Sequence, residues 1–423
     1  MLERHRIKIG ISSKIIQALF GLIFLAMIPL WSTIEEQGVY YSLINLFLFY
    51  SVLSGGLDQI YLRRLSKSYS IETKTVSQEF KENLREYMST LLVIIPIYSV
   101  FILVMSYMIF ERVVFQKYGL EIFVIMLTNL LTIFFSSFLI IFQSSQRFSL
   151  YYIYKVLITF LSLLVLAIMV ILEQGFASVV SFHLVIVLMT IMFVFPELKN
   201  IFKGLNLKKS LKKYIESNSK LHATLFLSSI SVYMLIGLLT PLSGKIFSIE
   251  IAGKIGLVIM ILSHMMSIAN TVTYDEIPNI SRNIHNKEEA AERYKRKAFK
   301  ATLFYLIGCG IIYGIIEISS YLNLFNLYLE RLPSTQITLL IMAIFILHFI
   351  FSLIIQFVRC FLVDPFAKNY FFLIFALLLI WSFSIKYNLE YTLMLIIVCQ
   401  LITVLNMVVK TRQFINFPAS SSN

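Results

Sequence analysis

Apolar residues in this chain run in blocks longer than any soluble helix or half-buried strand requires. A helix rising about 1.5 Å per residue needs about 20 apolar residues to cross the hydrocarbon of a bilayer. Twelve stretches qualify, some interrupted by one polar residue: about 10–31, 39–62, 88–110, 120–142, 157–173, 177–196, 223–243, 252–274, 301–322, 336–358, 369–385 and 391–409. The pattern predicts an all-α polytopic membrane protein of about 12 transmembrane helices. The longest connection, Glu197 to His222, divides the spans six and six. The expected organisation is an N-terminal six-helix lobe over 1–205, a basic cytoplasmic linker over 206–222 and a C-terminal six-helix lobe over 223–423. Six is even, so both halves begin on the same face of the membrane. That is the topology of a parallel repeat about the membrane normal, as in two-lobed alternating-access transporters.

Composition agrees. Hydrophobic types make up 58% of the 423 residues and charged types 14%, against roughly 45–50% and about 25% in soluble domains. A disordered chain is excluded by the same figures. The net charge of +13 would suit nucleic acid, but its distribution argues otherwise. Of the 36 lysines and arginines, 30 fall in the N-terminus, in alternate connections and in the C-terminal tail. The positive-inside rule then places both termini in the cytoplasm. The two tryptophans, Trp31 and Trp381, fall at the outer ends of the first and eleventh spans, where an aromatic belt is expected. The N-terminus is basic and then apolar, but it has no small-residue cleavage site and runs too long for a signal peptide, so it reads as a retained first span.

Cys309, Cys360 and Cys399 lie in or beside apolar runs, with no metal-ligand spacing, and read as inert lipid- or core-facing residues. No GxxxxGK[ST] loop is present to cradle nucleotide phosphates. No connection exceeds about 26 residues, which leaves no room for a soluble catalytic domain. The expectation is a protein without catalytic residues, metal or cofactor, and without a nucleic-acid partner.

With hydropathy this high, the informative residues are the few polar ones inside spans. Lys14, Gln17 and Gly21 share one face of the first span, and the Lys14 ammonium either snorkels to the cytoplasm or forms a cationic cavity wall. His264, Ser267, Thr271 and Asp275 form a polar stripe along the eighth span, suited to helix–helix hydrogen bonding or to a solvated cavity. His348, Ser352 and Gln356 form a similar face in the tenth span, and Asn129, Thr132 and Ser136 in the fourth. His183 reads as a packed, hydrogen-bonded histidine. Glu317 sits in the ninth span behind Gly310 and Gly314, a small-xxx-small pair that lets helices approach closely. Buried there, it suits either an interior hydrogen bond or proton carriage. Asp58 reads as an ion-pair partner for Arg63 and Arg64. On the cytoplasmic side, Lys208, Lys209, Lys212 and Lys213 alternate with Leu207, Leu211 and Ile215 as an amphipathic surface helix would. Arg293, Lys295, Arg296, Lys297 and Lys300 form a second basic patch. Both serve topology or gather an anionic lipid headgroup.

Short motifs then carry a resemblance. The stretch Trp31 to Leu43, with Glu36 and Gly38, resembles the "eEyGlys" loop of Wzx-type polysaccharide flippases in the MATE-like MOP exporter superfamily; Gln37 stands where the family has an aromatic. Gly56-Leu57 followed by Leu62-Arg63-Arg64-Leu65-Ser66 is similar to the family's "lGl…r..s" end of the second span, with Ser54 at its usual acidic position. Gln146-Arg147 is similar to its "qR" turn. Glu250-Ile-Ala-Gly253 resembles its "evG.Y" entry to the eighth span, with Ile255 in place of the tyrosine, and Pro278-Asn-Ile-Ser281 its "P.is" exit. The seventh span has no acidic residue, where relatives often carry an Asp.

The resemblance implies a MATE-like two-lobed fold in a bacterial inner membrane. It implies movement of undecaprenyl-pyrophosphate-linked oligosaccharide, an O-antigen or capsule repeat unit, from the inner to the outer leaflet, beside a polysaccharide polymerase and a chain-length regulator. On this reading Lys14 and Gln17 form a cationic and polar wall, His264, Ser267 and Thr271 face them from the other lobe, and Glu317 is the ion-coupling candidate. Two other readings are a MATE-like exporter of small cations, which wants buried acidic residues, and a polytopic polysaccharide polymerase or glycosyltransferase. The enzyme wants a sizeable external loop, whereas the external connections run from 3 to 13 residues.

Overall fold

A computed structural model describes residues 2–416 apart from 55–56, 58–60, 63, 66–67, 69–77, 145–147, 202–222, 275, 277–279, 281–286, 324, 362–363 and 385–387. The described residues are helical almost throughout and hold no strand. Every apolar stretch of the sequence is met by helix. The first six spans are Leu2–Trp31, Ile34–Phe47 resuming as Phe49–Ser54, Gln78–Ile109, Arg112–Ser137 resuming as Ile140–Ser144, Phe148–Ile171 and Ala177–Ile201. The seventh is a bent pair, Ala223–Gly237 and Leu239–Ile246. The rest are Ile249–Tyr274, Lys287–Tyr321, Thr335–Arg359, Ala367–Phe383 and Leu389–Asn416. The chain is an all-α, multi-pass membrane protein.

Several helices outrun their apolar windows. The ninth starts at Lys287, so the second basic patch rides on about four helical turns ahead of the span. Arg293 and Arg296 pair there with Glu289 and Glu292 one turn back, at 3.8 and 3.0 Å. The connection expected at 32–38 shrinks to Ser32 and Thr33. Thr33 opens the second span with a capping box: its hydroxyl accepts from the Glu36 amide at 3.2 Å, and the Glu36 carboxylate accepts from the Thr33 amide at 2.7 Å. The T-x-x-E spacing gives two backbone donors at the helix start reciprocal partners.

The chain forms two compact units, Met1–Pro241 and Leu242–Asn423. In the first unit, spans two and three, two and four, four and six, and five and six pack against each other. In the second, the counterparts six spans later do the same: eight and nine, eight and ten, ten and twelve, eleven and twelve. The first and fifth spans run parallel. Phe20 meets Phe160 at 6.2 Å between ring centroids, and eleven residues on, Trp31 stacks on Phe176 just past the end of the fifth span. Between the fifth and sixth spans Gly175 takes φ +54°, a conformation that side chains rarely tolerate, with the Trp31 carbonyl 4.0 Å from where a Cβ would stand.

Two breaks have identifiable causes. The second span loses its ladder at Leu48, and the Tyr98 hydroxyl lies 3.1 Å from the Phe47 carbonyl and 3.2 Å from Asn129 Oδ1. Asn129, on the fourth-span polar face, therefore supports that break. The seventh span widens into a π-turn over Tyr233–Gly237 and then bends by 47°. Pro241 lacks an amide and its ring crowds the carbonyl four residues back, at Gly237. The Leu238 amide bonds the Tyr233 carbonyl at 2.9 Å instead. A side chain at Gly237 would overlap the Tyr233 ring, which is itself held edge-on against Phe49 at 5.1 Å. Asn45 ties the same region together, donating to the Tyr41 carbonyl at 2.8 Å and to the Thr240 hydroxyl at 3.3 Å.

Two expectations are corrected. Trp31 and Trp381 stand at the helix ends foreseen, but their rings are buried rather than set in a lipid-facing belt. Trp31 fills a cluster with Tyr40 and Phe176, because tight turns bring neighbouring span ends over it. Gly310 and Gly314 face open space, so they are no helix contact. The close approach is one turn earlier, at Gly308, where a Cβ would meet the Met265 methyl.

Candidate functional site

In the first unit, charge is locked at the ends of spans two and three. Glu86 is 2% exposed, and its Oε1 accepts from the Tyr61 hydroxyl at 2.6 Å and from Arg64 Nη1 at 3.3 Å. The Arg64 guanidinium also lies over the Tyr61 ring at 5.6 Å. Asp58 and Arg63, expected to join Arg64, lie outside the described residues. At the other end, Lys117 at the start of the fourth span bonds Glu35 of the second at 2.7 Å.

The first span places Lys14, Gln17 and Gly21 on the side away from its uncovered apolar stripe of Ile16, Leu19, Ile23 and Leu30. Gln17 is partly buried and donates to the Ser13 hydroxyl at 3.0 Å. Lys14 is placed by its backbone only. His183 is buried, 3.5 Å from the Tyr40 hydroxyl and wedged beside Phe182. The fifth span adds a residue that the hydropathy windows passed over: Lys155, inside the helix that begins at Phe148. By hydropathy alone it falls in the connection between the fourth and fifth apolar stretches. The spacing Lys155, Thr159, Ser162 was the signal, a polar stripe at i, i+4, i+7.

In the second unit, His264, Ser267 and Thr271 stand on the flank of the eighth span opposite its fully buried stripe of Ile255, Leu262 and Ala269. Thr271 turns its hydroxyl to the Ile268 carbonyl at 2.7 Å, while Ser267 is exposed and His264 is partly covered. Asp275, the end of that stripe, lies outside the described residues, as do Gly56, Gln146, Arg147, Pro278, Ser281 and the lysines at 208, 209, 212 and 213. The tenth-span face is used for packing. Gln356 Oε1 accepts from Tyr294 of the ninth span at 2.9 Å and from Thr273 of the eighth at 3.1 Å, and His348 is buried between Phe345 and Phe351. Glu317 is half-buried and accepts from the Thr335 hydroxyl at 3.1 Å, with Tyr313 one helical turn back.

Asp364, after the tenth span, accepts from Arg359 Nε at 3.2 Å and from the Tyr370 hydroxyl at 3.0 Å. Among the described residues each unit thus holds a deeply covered carboxylate paired with an arginine and hydrogen-bonded by a tyrosine. Among the described residues no group of histidine, cysteine and carboxylate side chains could hold a metal ion. Cys309 and Cys360 are buried thiols and Cys399 is partly covered.

No protein-family model and no curated protein matches the sequence. The fold, in contrast, matches solved structures over nearly its whole length. One is an inward-facing multidrug resistance MATE family transporter of the MOP superfamily, at 12% identity, covering 96% of this chain and 100% of that one, with a TM-score of 0.60. A second is the lipid II flippase MurJ in an inward closed conformation, at 12% identity, 96% and 86% coverage and a TM-score of 0.62. A third is a MOP superfamily transporter from Pyrococcus furiosus, described as having a binding pocket of reverse polarity, at 11% identity, 98% and 96% coverage and a TM-score of 0.56. These likenesses fix the architecture as that of MATE- and MurJ-like helical membrane proteins.

Proposed function

We propose that the chain is a flippase that carries undecaprenyl-pyrophosphate-linked oligosaccharide repeat units from the inner to the outer leaflet, by alternating access of its two lobes, for O-antigen or capsular polysaccharide. The fold is shared by exporters and by a lipid-linked substrate flippase alike, so charge is the discriminating argument. Among the described residues the deeply covered carboxylates Glu86 and Asp364 are both held by arginine and tyrosine, and apart from the half-buried Glu317 the other covered polar groups are amides, hydroxyls, imidazoles and cations. That balance suits an anionic cargo. A pyrophosphate and its sugars would cost several kcal/mol for each unpaired polar or charged group in hydrocarbon, and a polar path shields them while the polyprenyl tail stays in lipid. Lys14, Gln17, His264, Ser267 and Thr271 are the residues assigned to that path. The host membrane is the bacterial inner membrane, with both termini cytoplasmic, and a polymerase and chain-length regulator act on the product.

A cation-coupled exporter is the second reading, favoured by one observation: Glu317 is a half-buried carboxylate beside two hydroxyls. Deleting the gene in its host and testing leaflet accessibility of lipid-linked oligosaccharides separates the two. Single repeat units confined to the inner leaflet, with surface polysaccharide lost and restored by the intact gene, support the flippase. Units reaching the outer leaflet normally refute it.

A further inference from the structure

Lys155 belongs to none of the arrangements above. It shares a stripe of the fifth span with Thr159, Ser162 and Leu166, at i, i+4, i+7 and i+11, and Ser162 and Leu166 are fully covered by protein. The opposite side of the helix carries Leu150, Ile153, Leu157 and Phe160, all uncovered and apolar. Leu150 and Ile153 put the level of Lys155 inside the hydrocarbon, and the stripe turns it inward, away from lipid. Its one described neighbour of note is the Tyr151 ring, 5.9 Å from Nζ. Among the described residues no carboxylate lies within ion-pair distance, although Glu86 and Asp364 show that this protein pairs its covered charges elsewhere. A cation at membrane depth is costly and is ordinarily paired or functional.

The parallel packing of spans one and five adds the second element. Lys155 lies five residues, about 7.5 Å, toward the cytoplasm from Phe160, and Lys14 lies six residues, about 9 Å, in the same direction from Phe20, its ring partner. The two lysines therefore stand at nearly one height on adjacent helices, with the Gln17 amide one turn above Lys14. A lysine on each helix at that height, with an amide one turn above, matches a dianionic group. We infer that Lys155 is a ligand for the diphosphate of the lipid-linked substrate, on a ledge where the first and fifth spans run side by side. This rests on the flippase reading and names the moiety that reading must hold.

The test uses the purified full chain and undecaprenyl diphosphate, with undecaprenol as the uncharged control, binding being followed by native mass spectrometry. Wild-type protein should prefer the diphosphate. Lys155→Gln should weaken that binding about 10- to 100-fold, the range for a hydrogen bond to a charged group, without changing undecaprenol binding, and Lys155→Arg should recover most of it. A Gln variant that binds the diphosphate as tightly as wild type overturns the role of Lys155 and leaves the flippase reading standing. Wild-type protein that fails to distinguish diphosphate from alcohol overturns both. Lysine-acetylation footprinting of the wild-type chain covers the case of a variant that does not fold. Protection of Lys155 by undecaprenyl diphosphate, and none by undecaprenol, supports the assignment; equal labelling in both refutes it.

Discussion

Removing Arg64 tests how the first unit handles buried charge. Glu86 is 2% exposed and its Oε1 is shared by Tyr61 at 2.6 Å and Arg64 at 3.3 Å. At an effective dielectric of about 20, unit charges 3.3 Å apart attract by about 5 kcal/mol before desolvation is subtracted. Stranding a covered carboxylate by deleting its partner ordinarily costs about 3–5 kcal/mol. The Arg64 side chain is 30% exposed, so part of its charge is already screened, and about 2–3 kcal/mol is the expected loss for Arg64→Met. Glu86→Leu is expected to cost about 1–2 kcal/mol, because Arg64 can turn to water while the Tyr61 hydroxyl loses its acceptor. The double variant should be no worse than Arg64→Met, giving a coupling of about 1.5 kcal/mol. Thermal unfolding of the purified protein in detergent, ranked over the four-member cycle, reads this out as a lower midpoint for Arg64→Met and a partial recovery in the double variant. Additive single effects, or an Arg64→Met as stable as wild type, would refute the account of Glu86 as a carboxylate that depends on its arginine.

Four further outcomes are expected. Thr33→Ala removes one half of the capping box and should cost about 1 kcal/mol, read as a lowered unfolding midpoint, with Thr33→Asn close to wild type. Gly237→Ala drives a methyl into the held Tyr233 ring and should destabilise by about 1–3 kcal/mol. Gly308→Ala, facing only the mobile end of Met265, should unfold at nearly the wild-type midpoint. Glu317→Gln keeps an acceptor for the Thr335 hydroxyl and should leave surface polysaccharide intact in a complementation assay if the cargo step needs no carboxylate there. Loss of complementation, with normal protein levels, would favour an ion-coupled mechanism.

Hydropathy located the apolar helices well because the bilayer sets a minimum apolar length for a helix that crosses it. It read helix ends poorly. Glu86 and Lys155 fall in connections by hydropathy, since one charge in a window ends an apolar run even when the helix continues through it. Thr33 to Glu36 had a legible capping spacing, yet the stretch was read as a loop. Polar periodicity located stripes without saying what they touch. The tenth-span stripe knits three helices through Gln356, while the eighth-span stripe lies on the flank its own unit leaves uncovered. The tryptophans show the same limit: an end-of-span position suits an interfacial ring in general, but only tertiary packing decides whether neighbouring turns cover it.

The bent seventh span has a bearing on synthesis. The first compact unit extends to Pro241, so its last structural member is made only after the whole 202–222 segment has been synthesised. Until then Asn45 lacks Thr240 and Phe49 lacks the Tyr233 ring. A nascent chain of six spans is therefore an unfinished body, with polar and aromatic groups of its second helix waiting in the membrane for a helix still to be inserted. The gene's apparent midpoint, between the sixth and seventh spans, is not the point at which the first half can complete its fold, and a fragment ending at 241 should outlast one ending at 205 in the cell.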